Sequence, residues 1–280
     1  MDVTKHVAFH KKVHWELWQY VQKNNIPADH KEGEDVVAID ILASNPHWPW
    51  IEAYLKKINR TAQSDMIFTK EELQAAQWME VRTIWRTGYP EPTDCCEFEN
   101  ITYTREKQCD ECSAGLKQVD SFRLRKVPSW GRRHFFAPYW IEDELFVNDA
   151  VKAAFEAAGI TGVDFYPVKN KNGKQVFEGI YQLRIQTVLE EALVVSDDFV
   201  RSVKTCKKCG TNKYLLNGCA KSKYKKEVFE NIPDIVQTGD IFGGMSTIAA
   251  RNIIISQRVY QTIVNNKLGR SLLFYPIDLV

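Results

Sequence analysis

The chain carries almost no net charge: 37 Lys and Arg stand against 36 Asp and Glu, a formal +1 over 280 residues. Without a surplus of either sign it offers no global attraction to a polyanion or an acidic membrane. No stretch approaches eighteen uninterrupted apolar residues, which argues against a membrane-spanning helix. The start, Met1-Asp2-Val3-Thr4-Lys5-His6, lacks the basic-then-apolar layout of a secretory signal. Also missing are GxSxG, P-loop, GxGxxG and HExxH patterns. The one Gly-rich spot, Gly239-Asp240-Ile241-Phe242-Gly243-Gly244, lacks the Lys-Ser/Thr that holds phosphates, and its glycines read as a turn. The expectation is a soluble, cytoplasmic protein that is not an enzyme. Apolar content of 44% and charged content of 26% are ordinary for a folded chain of one large domain or two, so disorder is excluded as its main character.

In a reducing compartment, seven cysteines read as thiols and metal ligands before disulfides. Four stand in two knuckles, Cys109-Asp110-Glu111-Cys112 and Cys206-Lys207-Lys208-Cys209-Gly210. Two cysteines spaced by two residues can close on one ion from a single tight turn, so Cys109, Cys112, Cys206 and Cys209 together predict a structural Zn2+ site. A redox CxxC would open a helix directly after a strand, whereas Gly210 and a strand-like Lys213–Leu216 follow here. Gly210 suits a left-handed turn position. Lysines 204, 207, 208, 213, 221, 223, 225 and 226 surround the second knuckle, where cations would balance a dianionic four-thiolate centre. Adjacent Cys95-Cys96 would be strained as a disulfide and read as thiols, with an exchange for Cys109 or Cys112 as ligand left open. No role is assigned to Cys219.

Behind each knuckle the same order of features recurs. Leu145-Phe146-Val147-Asn148 leads into a helical stretch Asp149–Ala158 and closes on Phe165-Tyr166-Pro167-Val168. Ile253-Ile254-Ile255-Ser256 leads into Gln257–Asn266 and closes on Phe274-Tyr275-Pro276-Ile277. An apolar run, an Asn or Ser cap, about ten residues of helix, a Gly-containing turn and Phe-Tyr-Pro read as an internal duplication. The units 144–168 and 252–277 are therefore expected to superpose about a pseudo-twofold axis near the metal, with Val151, Phe155, Val259 and Ile263 packing helix on sheet.

Residues 1–92 read as a helical, aromatic-rich region. Val3, Val7, His10, His14, Leu17 and Val21 recur at three- and four-residue steps and predict a first helix ending before Asn24-Asn25-Ile26-Pro27. His6, His10 and His14 share part of that face but lack a completing carboxylate, and read as surface or boundary histidines. Val36–Leu42 fits either a strand or a helix, and a second helix follows Asn45-Pro46. Thr69-Lys70-Glu71-Glu72 is a capping box that predicts a third helix reaching Thr87, stopped by Gly88 with Pro90 and Pro92 beyond. Six of the eight tryptophans precede that stop. Most should be core, and an exposed pair among Trp15, Trp18, Trp48 and Trp50 would be the candidate partner-binding surface, because tryptophan is a common interface anchor.

Beyond residue 92 the pattern turns to strands. Asn100–Thr104 and the alternating Val119–Lys126 read as strands, and Lys169–Gly173 as a hairpin turn into a strand at Val176–Ile185. Basic and aromatic residues interleave from Arg123 to Trp140, a nucleic-acid-like composition that reads more simply as an edge strand with a solvated polar face.

Two CxxC knuckles 93 residues apart, the strand-rich sequence between them, and the ending Asp240-Ile241-Phe242 … Asn252-Ile253-Ile254-Ile255-Ser256-Gln257-Arg258-Val259 … Leu273-Phe274-Tyr275-Pro276-Ile277 resemble the double-CXXCG motif proteins. This bacterial family is related to immunity proteins of toxin systems. The resemblance covers roughly 95–280, and the first knuckle has Ser113 where the family pattern has Gly. It implies a non-enzymatic protein that binds and neutralises a cognate toxin. A second reading is a zinc-ribbon nucleic-acid-binding regulator. The expected fold class is α+β: a helical N-terminal region, 1–92, then an internally duplicated strand–helix–strand domain, 93–280, joined by a split zinc-ribbon-like site of four cysteines.

Overall fold

A computed structural model of the protein describes all residues except 32, 95–96, 198, 217–219 and 245–248. Cys95, Cys96 and Cys219 thus lie outside the described residues, and so do their expected roles. Strand outweighs helix, 34% against 22%, which makes this a mixed α/β chain. Two compact units divide at Leu73/Gln74.

The first unit, whose main body is Met1–Leu73, is not helical as expected. Its elements run β1 (Asp2–His10), α1 (Trp15–Lys23), β2 (Val36–Leu42), α2 (Trp48–Lys57) and β3 (Gln63–Ile67), with α3 (Lys70–Ala75) after them. The strands form an antiparallel sheet in the order β2-β1-β3. The helical reading of Val3, Val7 and His10 passed over Phe9. Val7 and Phe9, two apart, both point into the core, and that period of two is the one the backbone follows. Only Leu17 and Val21 of the proposed face lie on a helix, packed with Val37, Ile39, Ile41, Ile51 and Leu55. Each such side chain contributes about 1.5–3 kcal/mol by leaving water. The three histidines do not converge. His6 meets Asp40, His10 meets Asp35, and His14 is buried against Tyr54.

The capping box forms as read: Glu72 N–H donates to Thr69 Oγ1 and Thr69 N–H donates to Glu72 Oε2. The helix it starts ends at Ala75, not Thr87. Trp78–Thr83 is instead strand β4, with Met79, Glu80, Val81 and Thr83 all buried. A central strand covered on both faces has no alternation to show, which is why its apolar residues passed for helix.

The second unit, Gln74–Leu216 with Lys221–Val280, holds both knuckles. After α4 (Glu97–Thr102), placed where a strand from Asn100 was expected, β5 (Tyr103–Thr104) and β6 (Lys117–Gln118) pair as a hairpin around the first knuckle. Then come β7 (Arg123–Leu124), β8 (Phe135–Phe136), β9 (Phe146–Val147), α5 (Asp149–Ala158), β10 (Val163–Asn170) and β11 (Val176–Ile185). The expected strand at 119–126 is thus only two residues long, although Phe122 and Leu124 do face inward. The second knuckle sits between β12 (Val200–Thr205) and β13 (Asn212–Leu216). Next are β14 (Lys223–Tyr224), β15 (Ile235–Gln237), β16 (Ile241–Phe242), β17 (Ile253–Ser256), α6 (Gln257–Asn265), β18 (Leu272–Pro276) and β19 (Asp278–Leu279).

One sheet has the order β7-β10-β11-β9-β8 and another β15-β17-β4-β18. In the first, β9 and β10 each pair antiparallel with β11, so they run parallel to each other with β11 between them and α5 as the connection. In the second, β17 and β18 each pair antiparallel with β4, so they too are parallel, connected through α6. Both helices start as the sequence indicates: Asn148 Oδ1 accepts from Val151 N–H and Ser256 Oγ from Val259 N–H. Val151, Phe155, Val259 and Ile263 are buried.

Candidate metal centre

Each knuckle is a hairpin tip, where a chain reversal lets two side chains leave on the same side. In the first, Ser113 N–H donates to Cys109 O and Cys109 N–H to Ala114 O. In the second, Gly210 N–H donates to Cys206 O and Cys206 N–H to Thr211 O. The residue after the second cysteine is left-handed in both, φ 60° at Ser113 and 75° at Gly210. Glycine adopts that conformation freely, and serine does so at a cost of about 1–2 kcal/mol. Gly115 is constrained differently, since a β-carbon there would lie 2.1 Å from Lys107 O.

The tips bring Cys109, Cys112, Cys206 and Cys209 together, their sulfurs all within 4.8 Å of one another. Cys109 Sγ lies 3.7 Å from Cys206 Sγ, and Cys112 Sγ 3.5 Å from Cys209 Sγ. A disulfide requires about 2.0 Å, and all four are free thiols. A tetrahedral centre with metal–sulfur bonds of about 2.3 Å sets its sulfurs about 3.8 Å apart, so the cluster fits a single ion. Ala114 and Ile241 pack against the sulfurs.

The four thiols differ in setting. Burial pushes the Cys112 thiol up to about 12. The exposed Cys209 is held at about 6, chiefly by the Thr211 hydroxyl 3.2 Å from its sulfur. One charge-balancing group is internal: Lys213 is 1% exposed, its Nζ donates to Cys112 O at 3.1 Å, and burial lowers its pKa against the pull of the Cys112 and Cys206 thiolates. The sequence places Lys213 among eight basic residues and has no local signal that sets it apart. Of the others, Lys208 bridges to Asp110 across the knuckles, Lys221 pairs with Asp278, and Lys204 and Lys207 face solvent.

The tryptophans proposed for partner binding separate into two kinds. Trp48 is core, and Trp18 is half-buried against it. Trp15 is 55% exposed. Trp50 is exposed and stacked between Tyr20, at 3.7 Å, and Tyr54, at 5.7 Å. The basic residues of the 123–140 stretch are mostly engaged: Arg123 with Asp120, Arg125 with Glu91, and Arg133 over the Trp85 ring.

No family model matches the chain, and none of the curated proteins searched is similar to it. Among the described residues no helix is long and apolar enough to cross a membrane.

Proposed function

We propose that this protein is a cytoplasmic, immunity-type protein that binds and neutralises a cognate bacterial toxin without turnover, and that its four-cysteine centre is a structural zinc site. The observation that carries this reading is the four-thiol cluster. Cys109, Cys112, Cys206 and Cys209 would hold Zn2+ through four thiolates, leaving no position for water or substrate, so the ion supplies cross-linking between two hairpins and not chemistry. With the resemblance of residues 95–280 to double-CXXCG proteins, this favours a binding protein. The exposed Trp15 and the Tyr20–Trp50–Tyr54 stack are the anchors for the partner.

The same reading takes the two split strand–helix–strand units as copies of one ancestral unit. Supporting it are the strand orders β8-β9-β11-β10 and β15-β17-β4-β18, in which parallel strands joined by a capped helix flank one antiparallel strand. An experimental structure of the metal-loaded protein in which 144–168 and 252–277 fail to superpose would remove the duplication from the proposal.

Co-expression tests the function. A toxin encoded beside this chain should be lethal alone and tolerated with it, and Trp50→Ala should weaken rescue while the protein stays folded. The competing reading, a zinc-ribbon nucleic-acid-binding regulator, draws on Arg201, Lys204 and Lys207, which lie exposed along the β12 hairpin. It predicts binding of DNA or RNA that falls steeply with salt; a protein interface built on aromatic anchors falls much less.

A further inference from the structure

The second unit contains a cavity of about 450 Å3, lined by Thr87, Tyr89, Glu91, Arg125, Lys126 and Trp140 among others and by none of the four knuckle cysteines. That volume lies in the range of small-molecule sites. Three segments build it. Thr87 N–H donates to Ala137 O, Tyr139 N–H to Gly88 O and Glu91 N–H to Arg123 O, which threads 85–91 between two neighbours. Phe136 and Leu124, also in its lining, are buried at its base.

Its side wall is aromatic and exposed. Trp140 is 41% and Tyr89 44% exposed, with ring centroids 4.6 Å apart, and Trp140 lies nearly parallel to Phe98. Trp140 holds φ 71°, a left-handed conformation that costs a tryptophan energy. Displaying this indole outward therefore opposes both backbone preference and the hydrophobic effect.

The polar groups are as selective as the apolar ones. Glu91 is only 8% exposed, and Arg125 Nε donates to its Oε1 at 3.0 Å. Among the described residues its Oε2 has no hydrogen-bond partner. That oxygen is not sealed from solvent, so it stands open to a donor on a ligand in the cavity that Glu91 lines. Arg125 and Lys126 add positive charge beside it, which disfavours a simple organic cation and favours a ligand that is anionic at one end and an N–H donor at the other.

We infer that this cavity binds a guanine nucleotide, its base stacked on Trp140 and Tyr89, its N–H edge donating to Glu91 Oε2, and its phosphate facing Arg125 and Lys126. Aromatic rings take any base, at about 1–3 kcal/mol per stack. The carboxylate supplies the choice. Guanine offers two adjacent donors, N1–H and the N2 amino group, whereas the adenine amino group is flanked by an acceptor that the carboxylate repels. The inference does not depend on the toxin-binding reading.

Calorimetric titration of the full, metal-loaded chain with GMP, AMP, guanosine and inorganic phosphate tests it, beside a short oligoribonucleotide holding one unpaired guanine. GMP should bind at least about tenfold more tightly than AMP or guanosine. Trp140→Gly keeps the left-handed backbone and removes the stack, and Lys126→Ala removes exposed charge. Each should weaken GMP binding about tenfold or more, with the melting temperature little changed for Lys126→Ala. In Glu91→Gln, Arg125 retains the one oxygen and an amide NH2 meets the guanine edge, so the preference for GMP over AMP should vanish. If only the oligonucleotide binds, and loses binding in the same variants, the base-and-phosphate chemistry stands and the source is single-stranded RNA. No binding by any of these ligands at millimolar concentration, or GMP binding unaffected in Trp140→Gly and Lys126→Ala, overturns the inference.

Discussion

The two knuckle hairpins deliver the same pair of thiols by different means. The first has flanking strands of two residues each, both cysteines buried, a left-handed serine after the second cysteine and a glycine pressed against backbone. The second has strands of six and five residues, one buried and one exposed cysteine, and a left-handed glycine with open space around it. Long paired strands hold the second tip by backbone hydrogen bonds. The first tip has little ladder and depends on packing and close backbone approach. Equivalent ligand placement therefore does not require equivalent local stability, and the first knuckle should be the more sensitive to change.

The largest effect tests what the knuckles share. Chelation, or Cys112→Ser and Cys206→Ser, should destabilise the second unit by several kcal/mol, on the order expected when metal binding is coupled to folding. Elemental analysis and thermal melts with and without chelator check it, and equal melting temperatures in the two would refute a structural metal. A clear difference between the knuckles comes next. Gly115→Ala forces a β-carbon into Lys107 O and should cost about 3 kcal/mol or more, whereas Gly210→Ala meets nothing within 4 Å and should cost only the left-handed strain of about 1 kcal/mol. Denaturant midpoints of the two variants measure the gap, and equal losses would break the contrast.

Between the strand–helix–strand units the difference is electrostatic. Asp143 stands five residues before cap Asn148, and Arg251 five before cap Ser256. Burial pushes the Asp143 pKa up to about 6, although Arg251 draws it down. Burial, reinforced by Asp143, raises Glu144 to about 8. Gln182 Nε2 donates to Glu144 Oε2 at 2.9 Å. A carboxyl with a raised folded-state pKa keeps its proton longer in the folded protein than in the unfolded chain. Its contribution to stability is therefore full below the ordinary glutamate pKa and is lost as pH rises towards about 8. Glu144→Gln, which keeps an acceptor for Gln182, should flatten that decline and stabilise the protein at pH 8. Melting temperatures of both forms across pH 5–8.5 check it, and parallel curves would refute it.

The smallest effect is a gain. Ser113→Gly gives the first knuckle the residue the second already has. It should stabilise by about 0.5 kcal/mol, left-handed strain relief outweighing the extra entropy of an unfolded glycine. A precise denaturant midpoint under metal-loaded conditions reads it, and a loss of stability would mean the Ser113 side chain does more than occupy a strained turn.

The features legible in the sequence are those carried by short range. The four cysteines, the Asn148 and Ser256 caps, the Thr69–Glu72 box and the 169–173 turn each depend on atoms within a few residues, so spacing alone identifies them. The misread elements are those decided by distant partners. Residues 2–10 are strand because β2 and β3 pair with them. Trp78–Thr83 is strand because β17 and β18, nearly two hundred residues later, lie on either side of it. A helix hydrogen-bonds to itself and leaves a local signature, but a central strand satisfies its backbone elsewhere and leaves only an apolar run that either structure could use. The same distinction separates the two sites. A metal ligand set is readable because each tight turn supplies half of it. The position of Lys213 beside the thiols, the burial of the adjacent Asp143 and Glu144, and the Glu91–Trp140 cavity come from segments that meet only when the sheets form, and tertiary structure alone decided them.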